Sequence, residues 1–291
     1  MANFRANQMD PDRFHLSQLG FYFFLLTLGG FMILPIIFIF STALKPIDEL
    51  FLYPPRFLVI KPTLQNFGDL FNTTAVTVIP MSKYLFNSIF ITATVVFGTI
   101  IISTMTGFAL SKLDFKMKNI IFEANILAIM FVPAAVAIPR YFIVEKLGLT
   151  DTMLGHILPL LALPVSVFLV KQFIDQIPDS LIEAARIDGA NNYQVFFRII
   201  IPMVKPALAT VAILSFQLAW NNAETSVLYM DSENLKTLAF YMTTLSANIE
   251  NNVAGQGMAA AASLLMFLPN LIIFLFMQSK VMNTMAQSGL K

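Results

Sequence analysis

Charged and apolar positions are sharply segregated along the chain. Six stretches longer than fifteen residues lack Asp, Glu, Lys and Arg altogether: Phe14 to Leu44, Tyr84 to Ser111, Ala124 to Pro139, Thr152 to Val170, Pro206 to Ala223 and Asn251 to Ser279. A bilayer core about 30 Å thick takes roughly 20 apolar residues of helix, and a helix satisfies its own backbone there. The pattern predicts six transmembrane helices, over about 21–43, 84–110, 119–139, 152–171, 204–222 and 254–279. The third reaches full length only by extending back past Glu123 to Asn119, which leaves that carboxylate to snorkel to water or to pair with Lys118. The first is too long for a signal peptide and no small-residue cleavage pattern follows it. Pro35, Pro133, Pro164 and Pro269 lie inside these spans and read as kinks. Gly255, Gly257, Ala259, Ala260, Ala261, Ala262 and Ser263 open the last span with almost no side-chain bulk, which favours close helix contact, most of it within the subunit.

Lys and Arg set the orientation. With the N-terminus inside, 11 of the 18 basic residues fall on inner segments, among them Lys112, Lys116 and Lys118 in one short connection. An even number of spans then puts both termini, 1–20 and 283–291, in the cytoplasm.

Composition agrees. Of 291 residues, 57% are apolar and 12% are charged, against about 25% charged in an ordinary soluble domain. This excludes a soluble enzyme. A net charge of +1 offers no basic field for nucleic acid, and zero cysteines exclude disulfides and thiolate chemistry. His15 and His156 are far apart without clustered ligands, so no metal site is expected.

One connection is patterned. Between the fourth and fifth spans, Ser180-Leu181-Ile182-Glu183 has the form of a capping box, after Pro178 and Asp179, so a helix is expected to start near Ser180. Gly189 is placed to end it in the left-handed conformation, and Asn191 or Asn192 can cap a second helix running through Phe196 and Phe197 to Pro202. The apolar faces of such a pair need cover. They would lie on lipid headgroups or dock into a soluble partner.

The residues themselves resemble a family at this point. Glu183-Ala184-Ala185-Arg186-Ile187-Asp188-Gly189-Ala190, followed by Phe197, Ile200, Pro202 and Pro206, is similar to the EAA loop of binding-protein-dependent ABC importer permeases. From about residue 41 the chain resembles their carbohydrate-uptake, MalG-like branch, through Pro54-Pro55, Thr63-Leu64-Gln65-Asn66-Phe67, Asn87-Ser88, Lys146-Leu147-Gly148-Leu149 and Trp220-Asn221. It departs where Asn222-Ala223-Glu224-Thr225 replaces bulkier apolar residues.

The resemblance implies an all-α polytopic membrane protein with six transmembrane helices, a MetI-like permease core and a cytoplasmic coupling-helix loop at 172–203. It implies a bacterial cytoplasmic membrane location and a carbohydrate, an oligosaccharide, as cargo. The implied partners are a second, homologous permease, two ABC ATPase subunits and an extracytoplasmic solute-binding protein, with lipid around the spans. The chain has no Gly-x-x-x-x-Gly-Lys-Ser/Thr loop, so ATP and Mg belong to the ATPase and this subunit is not catalytic. Leu181 to Ala190 become the ATPase-docking residues, with Glu183 serving as the capping glutamate, as a partner for a basic ATPase residue, or both. Trp220, Asn221 and Asn222 become candidates for the substrate path, and Ser246, Asn248, Asn251 and Asn252 for the binding-protein contact. The alternative class, an ion-coupled secondary transporter, calls for mid-membrane ionisable groups and an inverted repeat, and neither is visible.

Overall fold

The computed structural model describes residues 19–72, 79–249 and 255–288, and among these it is helical with no strand. Helix α1 (Leu19–Ala43) is followed by two short helices, α2 (Ile47–Leu50) and α3 (Gln65–Asn72), and then by the long α4 (Met81–Lys112). Helices α5 (Lys118–Met130) and α6 (Ala137–Lys146) are separated by an extended pair, Phe131 and Val132, and a 3-10 turn at Pro133–Val136. Then come α7 (Met153–Leu161), α8 (Pro164–Asp175), α9 (Asp179–Ile187), α10 (Asn192–Val195), a π turn at Phe196–Ile200, α11 (Ile201–Met203) and α12 (Lys205–Trp220). Helices α13 (Glu224–Tyr229), α14 (Leu238–Ile249) and α15 (Gln256–Ser288) complete the chain.

Among the described residues, three helices are long and apolar enough to cross a membrane unaided, and three bent pairs bring the number to six if each pair is one span. The third span, expected over 119–139 with a kink at Pro133, is broken there. Helix α5 has 13 residues, about 20 Å of rise, and the next helix leaves it at 109°. Pro133 has no N–H to continue α5, and it forces its predecessor Val132 into extended backbone. The fourth span is likewise two helices, α7 and α8, meeting at 43° where Pro164 starts the second. Pro35 and Pro269 are accommodated inside α1 and α15. Glu123 lies on α5, clear of the break.

Helix α4 is the axis of the bundle, packed along α12 and α8. At Gly107 a Cβ would lie 3.0 Å from Val170 and 3.2 Å from the Lys171 nitrogen, so the absence of a side chain is what lets α4 and α8 approach. Two cores follow. One gathers Phe108, Val170, Ile174, Ile182, Phe196, Ile200 and Val211 at the end that carries residues 176–204. The other, towards the opposite end, joins Tyr84, Trp220, Leu238 and Tyr241 to Ala260, Ala261 and Ala262, the small residues that open α15. Helix α1 is exposed over nearly its whole length, with only Ser41, Thr42 and Ala43 buried. A helix so apolar and so bare is solvated by lipid or by another membrane chain.

Candidate functional site: the 176–204 loop and the amide face of α12

Helix α9 starts at Asp179, one residue earlier than expected, with Pro178 as its N-cap and no side-chain cap. The Ser180–Glu183 capping box is therefore not formed, which leaves Glu183 exposed and free of that role. A lysine holds the start instead. Lys112, at the last turn of α4, donates from Nζ to the Ile177 carbonyl at 2.7 Å and to Asp179 Oδ1 at 2.7 Å. This hydrogen bond, and then the charge behind it, lowers the Asp179 carboxyl below its usual range.

The end of α9 is set by Gly189, at φ +87°. Its N–H donates to the Arg186 carbonyl at 3.0 Å, and the Ala190 N–H donates to the Ala185 carbonyl at 2.9 Å. Those two bonds are the Schellman closure, which needs a residue tolerant of positive φ. Of the two candidate caps for the second helix, the structure uses Asn191: its Oδ1 accepts from the Gln194 N–H at 2.9 Å, and Gln194 Oε1 accepts from the Asn191 N–H at 2.8 Å. Arg186 donates across the turn to Asn192 Oδ1 at 3.3 Å.

Anchoring and display are divided between residues. Ile182 is buried beside Val195 and Phe196, and Phe196 lies 5.5 Å from the Phe108 ring on α4. Ala185 and Ala190 are half-buried against the same core. Leu181, Glu183, Ala184, Arg186, Ile187, Asp188 and Gly189 are exposed, Ile187 to 86%. Leu181 and Ile187, with the exposed Tyr193 and Phe197, set apolar side chains among the charges of Glu183, Arg186 and Asp188 and form a ridge on a fixed base.

The three path candidates separate. Trp220 is buried, donates from its indole N–H to the Met266 carbonyl at 3.0 Å and stacks on Phe216, so it fastens α12 to α15. Asn222 accepts from the N–H of Thr225 at 3.0 Å and from its hydroxyl at 2.7 Å, shaping the entry to α13. Asn221 alone is exposed, with its Nδ2 on the Gln217 carbonyl at 2.9 Å. Two amides that sequence reasoning missed join it. Gln217 is exposed one turn earlier on α12, and Asn270 of α15 donates to Asn221 Oδ1 at 3.3 Å and to the Met266 carbonyl at 3.0 Å. Gln217 and Asn221, four residues apart, were the available signal.

At the far end of α12, Glu224 forms an ion pair with Arg140 of α6, whose Nε donates to the Tyr229 hydroxyl at 3.0 Å. Residues 230–238 are clamped beneath. Asp151 accepts from the Ser232 N–H at 2.8 Å and hydroxyl at 2.6 Å, and Asn87 donates to the carbonyls of Asn234 and Lys236. The Ser232 hydroxyl, then its N–H, lowers the Asp151 carboxyl below its ordinary value. His156 is buried with both ring nitrogens engaged, one by Thr225 Oγ1 at 2.7 Å and the other by the Leu235 carbonyl at 3.1 Å. Of the binding-protein candidates, Ser246 and Asn248 fall on α14, and Asn251 and Asn252 lie outside the described residues. Among the described residues there is no grouping of three or more His, Cys, Asp or Glu suited to a metal ion.

A membrane helical bundle with an ordered two-helix loop at one end and an amide-bearing helix beside it is the architecture of a transport permease, and residues 13–279 match the family described as binding-protein-dependent transport system inner membrane component. The chain belongs to this family and is a multi-pass permease subunit of an ABC transporter. Among its relatives, the arabinooligosaccharides transport system permease protein AraQ of Bacillus subtilis is 33% identical over 287 residues, covering 95% of this chain and 99% of that one. The trehalose transport system permease protein SugB of Mycobacterium tuberculosis is 29% identical, covering 90% and 93%. The fold is that of a chain in the crystal structure of a bacterial ABC transporter involved in the import of the acidic polysaccharide alginate, with a TM-score of 0.78 at 22% identity, covering 92% of this chain and 98% of that one.

Proposed function

We propose that this chain is one half of the membrane pore of an ATP-driven importer that takes a carbohydrate, an oligosaccharide, from an extracytoplasmic solute-binding protein. The observation that carries the reading is the α9 ridge: a short helix closed by Gly189, seated on Ile182 and presenting Leu181, Ile187, Tyr193 and Phe197 outward. Burying such side chains in a cleft contributes about 1.5 to 3 kcal/mol each before ordering costs, enough to hold a moving joint. The partner is a separate ATPase, two copies per transporter, which binds ATP and Mg and leaves this subunit non-catalytic. The ridge, and with it both chain termini, faces the cytoplasm.

Relatives named for arabinooligosaccharide and trehalose transport support the cargo class. Gln217 and Asn221 supply the amides for it. Exposed carboxamides at membrane depth are costly against lipid and suited to a wet path lined for hydroxyls. The extended backbone at Phe131 and Val132, exposed on this chain, calls for a second permease to cover it. On the same reading the binding-protein contact is assigned to Ser246, Asn248, Asn251 and Asn252.

The test is uptake into proteoliposomes of the purified complex with its binding protein and a panel of arabino-, gluco- and galacto-oligosaccharides. Uptake of a glycan that requires ATP on the ATPase side and survives proton and sodium ionophores is the expected result. Uptake without ATP that collapses with an ionophore overturns it.

A further inference from the structure

The connection between α1 and α3 is built to hold one surface in place. At its base, Asn66 is buried and donates from Nδ2 to the carbonyls of Ala43 at 2.9 Å and Lys45 at 2.7 Å, while the Thr63 N–H reaches the Leu44 carbonyl at 2.8 Å. Further out, the Glu49 carboxylate accepts from the N–H groups of Ile60 at 3.0 Å and Lys61 at 2.8 Å, and the buried Lys45 ammonium donates to the Arg56 carbonyl. Two buried charges at 45 and 49 are thus engaged in fixing the backbone of residues 56–61. Such an arrangement is costly unless the held segment has one defined position.

What it holds is apolar and bare. Phe51, Leu52, Tyr53, Leu58 and Ile60 are all exposed, Tyr53 to 95%. The segment does not stand above the bundle. The Phe57 ring packs at 5.6 Å on the ring of Phe38, and Lys45 Nζ sits 5.6 Å from the same ring. Phe38 lies five residues before the end of α1, about 7.5 Å down its axis. The loop therefore turns back along the side of a helix whose own surface is Phe, Leu, Met and Ile on every face. That puts the loop beside a lipid-soluble helix rather than above the end of the bundle. Arg56, inside the patch, and Lys61, at its edge, are exposed cations suited to anionic phosphates.

We propose that residues 51–60 are an interfacial membrane anchor: Phe51, Leu52, Tyr53 and Leu58 enter the acyl boundary of the bilayer beside α1, with Arg56 and Lys61 against phospholipid phosphates. That the leaflet is the outer one rests on the orientation proposed above; the anchoring does not. The loop then fixes how deep and at what tilt α1 sits.

The chain has no cysteine, so single reporters are introduced without background. Leu52→Cys and Leu58→Cys, spin-labelled in the full transporter in phosphatidylcholine–phosphatidylglycerol nanodiscs, are compared with Phe31→Cys in mid-α1 and Asp69→Cys on exposed α3. Collision with oxygen and with a polar nickel chelate is measured for each. The expected result is that both loop labels favour oxygen several-fold over the Asp69 control, at a depth shallower than Phe31, and that Glu49→Gln shifts both toward the aqueous value. Aqueous accessibility at both positions overturns the proposal. So do labels shielded from oxygen and nickel alike, which would mean that the second permease or the binding protein covers the loop. None of these readouts uses uptake, so they stand or fall separately from the transport assignment.

Discussion

Gly189 shows how one position can carry a large consequence without a single packing contact. A Cβ there meets nothing within 4 Å in this chain, so any effect of substitution on the chain's own fold is the backbone's. A β-branched residue at φ +87° incurs about 1 to 2 kcal/mol, or lets α9 run on and redirects Asn191. Gly189→Val should leave the abundance of the permease near normal while weakening ATPase attachment and abolishing stimulated hydrolysis; Gly189→Asn should be milder. Co-purification of the ATPase and hydrolysis with loaded binding protein measure both, and parental behaviour of the Val variant sinks the reading of α9 as the joint to the ATPase. Arg140 and Glu224 work by pairing instead. Both are partly solvated, so the coupling expected from a double-mutant cycle on thermal unfolding is about 1 kcal/mol or less. The exchanged pair, Arg140→Glu with Glu224→Arg, should recover most of what either single change loses; no recovery removes the ion pair as the reason for Glu224.

Among the elements, α9 was legible because its determinants are local. A proline, a glycine eleven residues later and an asparagine cap are turn chemistry that tertiary contacts have no cause to override, and only the expected start, by a capping box at Ser180, was displaced when Pro178 took the N-cap. The third and fourth spans were less legible. Pro133 and Pro164 inside apolar runs signal an interruption, but the angle, 109° in one and 43° in the other, depends on how α6 and α8 pack onto α13 and α4. Two of the path candidates show a related limit: the Trp220 indole and the Asn222 amide are engaged by Met266 and Thr225, partners that spacing does not reveal. The division of α9 into a seat and a ridge makes a contrast at this scale. Ile182→Ala removes a buried side chain and should cost about 2 to 4 kcal/mol, loosening α9 on α4. Ile187→Glu changes an exposed one and should leave the thermal unfolding of the permease unchanged while releasing the ATPase. If both variants bind the ATPase equally well, the ridge is not the docking face.

Across the molecule, the six-helix plan was readable because lipid excludes charge so strongly that the gaps between charged residues outline the spans. What charge gaps do not report is how the ends are joined, and at the end opposite α9 the joints are polar. Asp151, held below its ordinary range by Ser232, ties the turn before α7 to residues 230–238. A depressed carboxyl contributes stability that is complete above its unfolded value near 3.8 and is lost as pH falls towards the depressed one. Hydrogen-exchange protection of the Ser232 amide should accordingly be constant from pH 7 to about 5 and fall below about 4. Asp151→Asn should flatten that acid dependence. An acid-induced loss that survives in the Asn variant would place the titrating group elsewhere.

The Lys112 ammonium reaches both the Ile177 carbonyl and Asp179, while Arg186 braces the other end of α9 against Asn192. A rod pinned at one end swivels; a rod pinned at both ends and wedged at its middle by Ile182 does not. Whatever grips the ridge therefore delivers torque as well as thrust, and the first helix to feel the twist is α4, which touches α12 and α8 along its length. A turn imposed on those nine residues would pass into α4 through Lys112 and Phe108.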